Sequence, residues 1–263
     1  MKIPILAYHK IDTALEWGIN TVSPRAFEKQ IRFLHERGFQ SVKIEDIIFG
    51  DVQAAKPVVI TFDDAYRSVY EHAFPVLARY GFTATVFVVS EYIGKCNSWD
   101  VNLGGRTCMH LDFQQLRELI AAGWEIGSHT ATHADLIGLS PEKQLTELRS
   151  SKIDLENRLS APVRIISYPY NRYNSVVIGQ AIAAGYDGGC CLAPDNSIAP
   201  HLKIYAIPRM GVYAIDSLLW FKLKLEHPLC TRLDNIRQKA ISFFANGSVY
   251  YHRMKKIKKS IAI

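Results

Sequence analysis

Two adjacent aspartates and two histidines four residues apart have the types and spacing that metal chemistry needs. Asp63 and Asp64 end the β-branched run PVVITFDD, and His129 and His133 lie in the sequence GSHTATH. Two histidines and one carboxylate with open coordination positions form a catalytic metal site, typically for zinc, and ferrous iron uses the same set. We therefore expect Asp64, His129 and His133 to bind one divalent ion, zinc first, with cobalt, nickel, manganese or iron as alternatives.

The two aspartates are predicted to have different roles. Side chains of consecutive strand residues point to opposite faces, so strand geometry through Asp64 would separate the two carboxylates. One carboxylate could then bind the metal while the other takes a proton as a general base. The structural alternative is that one aspartate caps the following helix. The two histidines are predicted to share one face of a helical turn, because residues i and i+4 are neighbours there.

The elements that position these residues alternate between strands and helices, which is typical of parallel βαβ units. Predicted strands are Lys2–Tyr8, Gln40–Val42, Val58–Phe62, Ala84–Val89, Trp124–Ser128, Arg164–Tyr168, Asp187–Leu192 and Lys203–Ile207. Predicted helices cover residues 24–37, 44–49, 68–80 with a kink at Pro75, 113–122, 141–159 and 175–184. His9, Asp63, His129 and Tyr168–Tyr170 each fall at the carboxyl end of a different strand, and in a parallel barrel these ends share the face that carries active sites.

The composition fits one globular enzyme. The chain has 263 residues, of which 48% are hydrophobic and 21% are charged, unlike disordered or fibrous proteins. No run approaches the roughly 18 apolar residues that span a membrane. The five cysteines are odd in number and contain no CxxC pair, which argues against a disulfide framework and against a cysteine zinc site. The stretch Met1–Tyr8 lacks the form of a secretory signal, so we expect a cytoplasmic protein.

The pattern changes near the C-terminus. Helices are predicted at Leu218–Leu225 and Arg232–Phe244, so we expect residues 1–213 to form the barrel and residues 214–263 a helical extension packed on it. The tail carries five basic residues interleaved with Met254, Ile257 and Ile261; these are Arg253, Lys255, Lys256, Lys258 and Lys259. Such an end can lie on an anionic membrane surface, and the alternative is a solvated, frayed terminus. We expect a peripheral location at the inner membrane face to depend on this tail.

The motifs TFDD at Thr61–Asp64 and HTATH at His129–His133 resemble those of the polysaccharide deacetylase family, the NodB-homology domains of carbohydrate esterase family 4. The resemblance covers about Ile3 to Val212, and the sequence Tyr168-Pro-Tyr170 is similar to the third motif of the family. It implies a distorted (β/α) barrel that removes acetyl groups from N-acetylated sugars with a divalent metal. It also implies Asp64, His129 and His133 as metal ligands, Asp63 as the general base, and the backbone N–H of Tyr170 as the donor to the oxyanion.

Several positions depart from the family pattern. Ala65 and Asn171 stand where glycines are common, and Ser167 stands where an arginine often orients the base. Arg209 is the predicted replacement for that arginine. The late Leu-x-x-His motif, which carries the general-acid histidine, is not recognisable, and His9 is our candidate for that role, unless it only fills the barrel rim.

Two aromatic residues, Trp99 and Tyr173, are predicted to line the sugar site by stacking, with packing as the alternative.

Three functions are compatible with these residues. The first is a metal-dependent N-deacetylase that acts on an N-acetylhexosamine unit of a glycan or of a lipid-linked or nucleotide-linked precursor. The second is a hydrolase of a small non-sugar amide, and the third is a metal-binding, catalytically inactive sugar-binding module. The missing late motif favours the inactive module, whereas Asp63, which a binding module would not need, favours an enzyme. We expect no nucleic-acid partner.

Overall fold

The computed structural model describes residues 3–13, 19–98, 107–192, 197–227 and 229–241. The strands are β1 (Ile5–Tyr8), β2 (Lys10–Ile11), β3 (Thr21–Val22), β4 (Gln40–Ser41), β5 (Pro57–Phe62), β6 (Thr85–Val88), β7 (Glu125–Ser128), β8 (Ile165–Ser167), β9 (Gly188–Cys191), β10 (Ile207–Pro208) and β11 (Met210–Gly211). The α-helices are α1 (Pro24–Glu36), α2 (Ile44–Phe49), α3 (Phe74–Arg79), α4 (Phe113–Ala121), α5 (Pro141–Leu159), α6 (Ser175–Ala183), α7 (Leu218–Glu226) and α8 (residues 229–241). No helix in these ranges combines the length and apolar character that a membrane span requires.

Nine of the described strands form a nearly closed parallel barrel, and β2 and β3 pair in a separate small sheet. The strand order of the barrel is β10-β9-β8-β7-β6-β5-β1-β11, with β4 paired to β5. The two edge strands are consecutive in the chain, and Arg209 alone separates them. The first half of this segment pairs with β9 and the second half with β1, so one short stretch closes the barrel. The distorted (β/α) barrel expected from the sequence is confirmed.

Towards the amino ends of the strands, the barrel interior contains an apolar cluster beside the buried Glu125, whose carboxylate accepts from the backbone of α2. Ile5, Val59, Phe87, Ile165 and Cys190 come from five different strands and form one buried cluster. Helix α2 closes this end, because its Ile44, Ile47 and Ile48 pack against the same cluster. The larger hydrophobic core lies between the outer face of the barrel and the surrounding helices.

Alternation along β5 decides which side chains enter the barrel. Val59 belongs to the interior cluster, whereas Val58, Ile60 and Phe62 belong to the outer core. The same period of two continues inward through Thr61 to Asp63. The expectation that strand geometry extends through Asp64 was wrong, since β5 ends at Phe62 and Asp64 has a φ of 69°. The carboxylates still diverge, but the cause is this left-handed turn.

Two predicted elements differ from the structure. The predicted strand Lys203–Ile207 is mostly a 3₁₀ helix at Pro200–Tyr205, and only Ile207–Pro208 reaches β9. Bonds within the segment, such as Ala206 N to Lys203 O at 3.0 Å, satisfy backbone groups that a strand would pair with its neighbour.

The kink expected at Pro75 takes the form of a π-helical turn at Val69–Ala73, directly before α3. The wider turn accommodates the proline, which has no N–H and whose ring would clash with the carbonyl four residues earlier in an α-helix.

The described part of the C-terminal extension packs on the barrel, and the basic tail lies outside the described residues. Phe221 of α7 is buried in the main core and contacts Phe33 of α1 edge-on. Lys224 is also fully buried, and its Nζ donates to the carbonyl of Gly211 in β11 at 2.7 Å and to Asp216 at 2.9 Å. Arg237 of α8 donates to the other oxygen of Asp216 at 2.5 Å. These charged contacts tie both helices to the closing strand.

Because Asp216 joins two cations in a buried position, its removal should destabilise the fold strongly. We expect Asp216→Ala to lower the free energy of unfolding by about 3–5 kcal/mol, since it leaves a buried ammonium without its counter-ion. The control is Asp154→Ala, whose partner Arg158 is half exposed at 3.7 Å and whose removal should cost less than about 1 kcal/mol. Urea unfolding followed by circular dichroism measures both, and equal losses would contradict this role for Asp216.

Candidate metal and catalytic site

The predicted site residues meet at the carboxyl ends of the barrel strands. His9 follows β1, the aspartates follow β5, His129 follows β7 and Tyr168 follows β8. Seven non-glycine residues in the described ranges have a positive φ, and six of them lie in these loops; they are Asp64, Ala65, Thr130, His133, Tyr170 and Asn171. Left-handed conformations are costly for such residues and cluster at functional sites, where the surroundings hold them. The strand ends therefore carry a shaped site.

Asp64, His129 and His133 form a group with the geometry of a metal site. Their ligand atoms all lie within 4.8 Å of one another, and each side chain is buried. The Nε2 atom of each histidine lies 3.4 Å from the buried Oδ1 of Asp64. A tetrahedral ion with bonds of about 2.1 Å separates its ligand atoms by about 3.4 Å. The three residues thus fit a divalent metal ion.

The protonation states also suit metal binding. His129 Nδ1 lies 2.7 Å from the carbonyl oxygen of Ser167, which can only accept, so Nδ1 carries the proton and Nε2 presents its lone pair. Burial lowers the pKa of His129 to about 4, which keeps the ring neutral at neutral pH. Burial alone would raise the pKa of Asp64, but His133 and His129 outweigh it and hold the carboxyl well below its usual range. At neutral pH Asp64 and His129 thus have free ligand atoms.

The segment that carries the two histidines is a loop, so the helical turn predicted for it was wrong. Thr130 and His133 both have positive φ, and the rings are brought within 4.9 Å of each other at a steep angle of 71°. Glu147 of α5 holds this loop, because its carboxylate accepts bonds from the backbone N–H groups of Ala131 and Thr132. This contact from another helix replaces the hydrogen bonds that a helical turn would make.

Asp63 points into the barrel and forms a bidentate ion pair with Arg209. The guanidinium donates to both carboxylate oxygens at 2.8 Å, to Ser167 Oγ at 2.8 Å and to Thr61 Oγ1 at 2.9 Å. Burial would raise the pKa of Asp63, but Arg209, with smaller effects from His129 and His9, keeps it below the ordinary value. Ser167, which stands where an arginine is common, leaves room for Arg209 and binds it. Asp63 is therefore ionised and fixed in orientation.

His9 lies beside Asp63 across the β1–β5 pair. The register aligns Tyr8 with Phe62, and the rings of these two residues pack together on the outer side of the barrel at 5.6 Å. The next residues on each strand, His9 and Asp63, therefore turn towards the inside. The Nδ1 atom of His9 is buried without a hydrogen-bond partner among the described residues. Its position is compatible with a proton-transfer role, which stays a prediction.

The aromatic residues predicted for the site have different positions. The ring of Tyr170 packs edge-on against His133 with centroids 4.6 Å apart, and the left-handed φ of 58° at Tyr170 shapes the backbone beside the ligand group. Tyr173 is 8% exposed and stacks on Tyr168 within the core, which favours packing over sugar binding. Trp99 lies outside the described residues.

His110 also belongs to the site, although no motif in the sequence indicated it. His110 is buried, stacks on Tyr66 and places Nδ1 2.6 Å from the carbonyl oxygen of Asp64. It thereby holds the peptide that follows a metal-ligand candidate in its left-handed conformation. The two residues are 46 positions apart, and no motif spans them. A histidine after a segment without periodicity offered no signal for this contact.

The chain is similar to known proteins over most of its length. A sequence model of the family described as polysaccharide deacetylase matches residues 50–189. The Bacillus subtilis protein YxkH, whose name places it among the polysaccharide deacetylases, is 34% identical over 80% of this chain and 71% of its own length. Poly-beta-1,6-N-acetyl-D-glucosamine N-deacetylase of Staphylococcus aureus is 25% identical over 72% of this chain and 67% of the enzyme.

Solved structures agree with these sequence matches. The Streptococcus pyogenes deacetylase PplD, in complex with acetate, is 26% identical with a TM-score of 0.70, covering 82% of this chain and 95% of that one. The polysaccharide deacetylase BC0361 of Bacillus cereus is 26% identical with a TM-score of 0.73, covering 86% of this chain and 69% of that one. Together with the geometry of the strand-end site, these matches show that the chain belongs to the polysaccharide deacetylase family of hydrolases, as its motifs led us to expect.

Proposed function

We propose that this protein is a metal-dependent N-deacetylase that hydrolyses the acetamide of an N-acetylhexosamine unit in a glycan or glycan precursor. The observation that carries the proposal is the arrangement of the two aspartates. Asp64 lies in a buried group of three ligands, whereas the adjacent Asp63 is held by Arg209 and is free to accept a proton. Hydrolysis by activated water needs this pair of functions side by side.

The side chains divide the reaction between them. A divalent ion held by Asp64, His129 and His133 would supply an acidified water and polarise the amide carbonyl. Asp63 then accepts the proton of the attacking water, and Arg209 keeps its carboxylate ionised and directed at that water. The backbone N–H of Tyr170 donates to the developing oxyanion. His9 donates the proton that the departing amine needs.

The relatives support an acetylated sugar as the substrate. The Staphylococcus aureus relative is named for poly-N-acetylglucosamine, and the Streptococcus pyogenes structure contains acetate, which is the product expected of a deacetylase. A lipid-linked or nucleotide-linked carrier and a cytoplasmic location remain proposals from the sequence.

The inactive binding module is less favoured, because Arg209 donates two hydrogen bonds to Asp63, a carboxylate outside the ligand group. Its bonds to Thr61 and Ser167 hold the guanidinium in place. A small non-sugar amide remains the second candidate within the same chemistry.

Acetate release from a panel of N-acetylated compounds tests this function. We expect release from N-acetylglucosamine oligomers or from a lipid-linked N-acetylhexosamine in the presence of zinc or cobalt, and none after chelation. The panel also includes small non-sugar amides, and Asp63→Asn serves as the inactive control. Release from the small amides alone would support the second candidate. A protein that binds metal and sugar but never releases acetate would be the inactive module.

Metal content tests the ligand group separately from activity. We expect one divalent ion per chain in the purified protein. His133→Ala should lose most of this metal, because the two remaining ligands hold an ion much less tightly. His201→Ala is the matched control, since His201 is exposed on the 3₁₀ helix at Pro200–Tyr205. Elemental analysis of the three proteins gives the result. Equal metal content in wild type and His133→Ala would contradict the assignment.

Substitution of each aspartate separates base from ligand. Asp64→Asn weakens metal binding, so its lost activity should return in part when metal is supplied in excess. Asp63→Asn keeps all three ligands and should hold its metal, yet its rate should fall by roughly 10² to 10⁴, the usual contribution of a positioned base. Titration of acetate release with metal distinguishes the two. Near-full activity of Asp63→Asn at saturating metal would move the role of base to another residue, with His9 first.

A further inference from the structure

Helix α8 turns its apolar side towards solvent. Leu229, Leu233 and Ile236 are spaced as one helical face, and they are 71%, 56% and 66% exposed. The opposite side carries Asp234 and Gln238, which are 1% and 0% exposed. A surface helix ordinarily has the reverse arrangement, with aliphatic residues against the core and polar residues outside. In α8 the polar side faces the protein.

Buried polar contacts fix this orientation. Arg237 binds Asp216 at 2.5 Å and Asp234 at 2.7 Å. Asp234 also accepts a bond from the indole N–H of Trp220 and another from Gln238. Rotation of α8 to bury its leucines would separate these charges from their partners, and an unpaired buried charge is strongly unfavourable. The exposed aliphatic face is therefore a stable feature of the fold.

The exposed face of α8 is also basic. Arg232 and Lys239 are exposed on the same side as Leu229, Leu233 and Ile236, whereas the single acidic residue of α8, Asp234, is buried. The last 35 residues of the sequence contain eight lysines and arginines and one aspartate, while the first 228 contain 23 basic and 24 acidic residues. The positive net charge of the chain thus belongs to α8 and the segment after it.

We propose that the α8 face, defined by Leu229, Arg232, Leu233, Ile236 and Lys239, docks on an anionic lipid surface. Aliphatic side chains flanked by basic ones are the arrangement with which an interfacial helix enters the headgroup region and attracts anionic lipid. A second copy of the chain fits less well, because a symmetric contact would place Arg232 and Lys239 against like charges. The α8 face shares no residue with the metal site, and its docking would place the proposed deacetylase at a membrane surface.

Vesicle sedimentation of the full chain tests the proposal. The docking variant combines Leu229→Gln, Leu233→Gln and Ile236→Gln. The matched control combines Ile153→Gln, Val176→Gln and Ile182→Gln, which replace three aliphatic residues of α5 and α6 that are 48%, 49% and 43% exposed. Both variants are compared with wild type on phosphatidylcholine vesicles with and without phosphatidylglycerol, at low and high salt. Thermal unfolding by circular dichroism verifies that each variant is folded.

We expect the partition coefficient of the docking variant on anionic vesicles to be at least roughly tenfold lower than that of wild type, because its apolar contact with the bilayer is lost. The control variant should partition as wild type does, and high salt or the absence of phosphatidylglycerol should weaken wild-type binding. A docking variant that partitions as wild type does would overturn the proposal. A chain truncated after His252 is measured alongside, and the proposal is overturned in the same way if only this truncation abolishes binding. A lipid-free wild-type dimer that the docking variant converts to monomer would assign the face to a second copy and would also overturn it.

Discussion

The ion pair between Arg209 and Asp63 is the interaction on which the barrel closure and the site both depend. Arg209 lies between β10 and β11, where the chain changes its partner from one edge of the barrel to the other. Its backbone N–H bonds to Cys191 of β9, and three residues later the N–H of Val212 bonds to Ala7 of β1. The guanidinium reaches inward to the end of β5. One residue therefore connects both edges to the strand that carries the aspartates.

A buried ion pair must offset a large desolvation penalty, and here the geometry supplies the compensation. Both carboxylate oxygens of Asp63 are bound, and the guanidinium also satisfies the hydroxyls of Thr61 and Ser167. Bidentate pairs of this kind are directional as well as strong. Such a pair is weak proof of stability, since apolar replacements can be as stable, but it fixes a position. For Asp63, the base in the proposed reaction, the fixed position is the useful property, because a base must lie within hydrogen-bond reach of its proton.

The strand ends that surround this pair could be predicted, whereas the loop conformations could not. A β-branched run that stops at two carboxylates identifies β5 and its functional end, and strand-end placement brings together residues from four strands. The sequence HTATH looks like a helical turn by spacing alone, but Glu147 of a later helix sets the loop, and His110 reaches Asp64 from another segment. These contacts join distant parts of the chain to backbone groups, so they leave no periodic pattern. The 3₁₀ helix at Pro200–Tyr205 was missed for a related reason, because its bonds are local and its apolar residues resemble a strand.

Helix α8 shows the same limit in its simplest form. Leu229, Leu233 and Ile236 recur at helical spacing, and a sequence pattern of this kind predicts a face turned towards the core. In α8 the aliphatic face points to solvent instead, because charged residues occupy the side that contacts the protein. Asp216 binds both Lys224 and Arg237, and Asp234 binds Trp220 and Arg237. Periodicity identifies which residues share a face, but the partners across the interface decide which way that face points. In the barrel, Arg209 fixes the orientation of the Asp63 carboxylate. In the extension, the ion pairs of Arg237 fix the orientation of helix α8 against the protein.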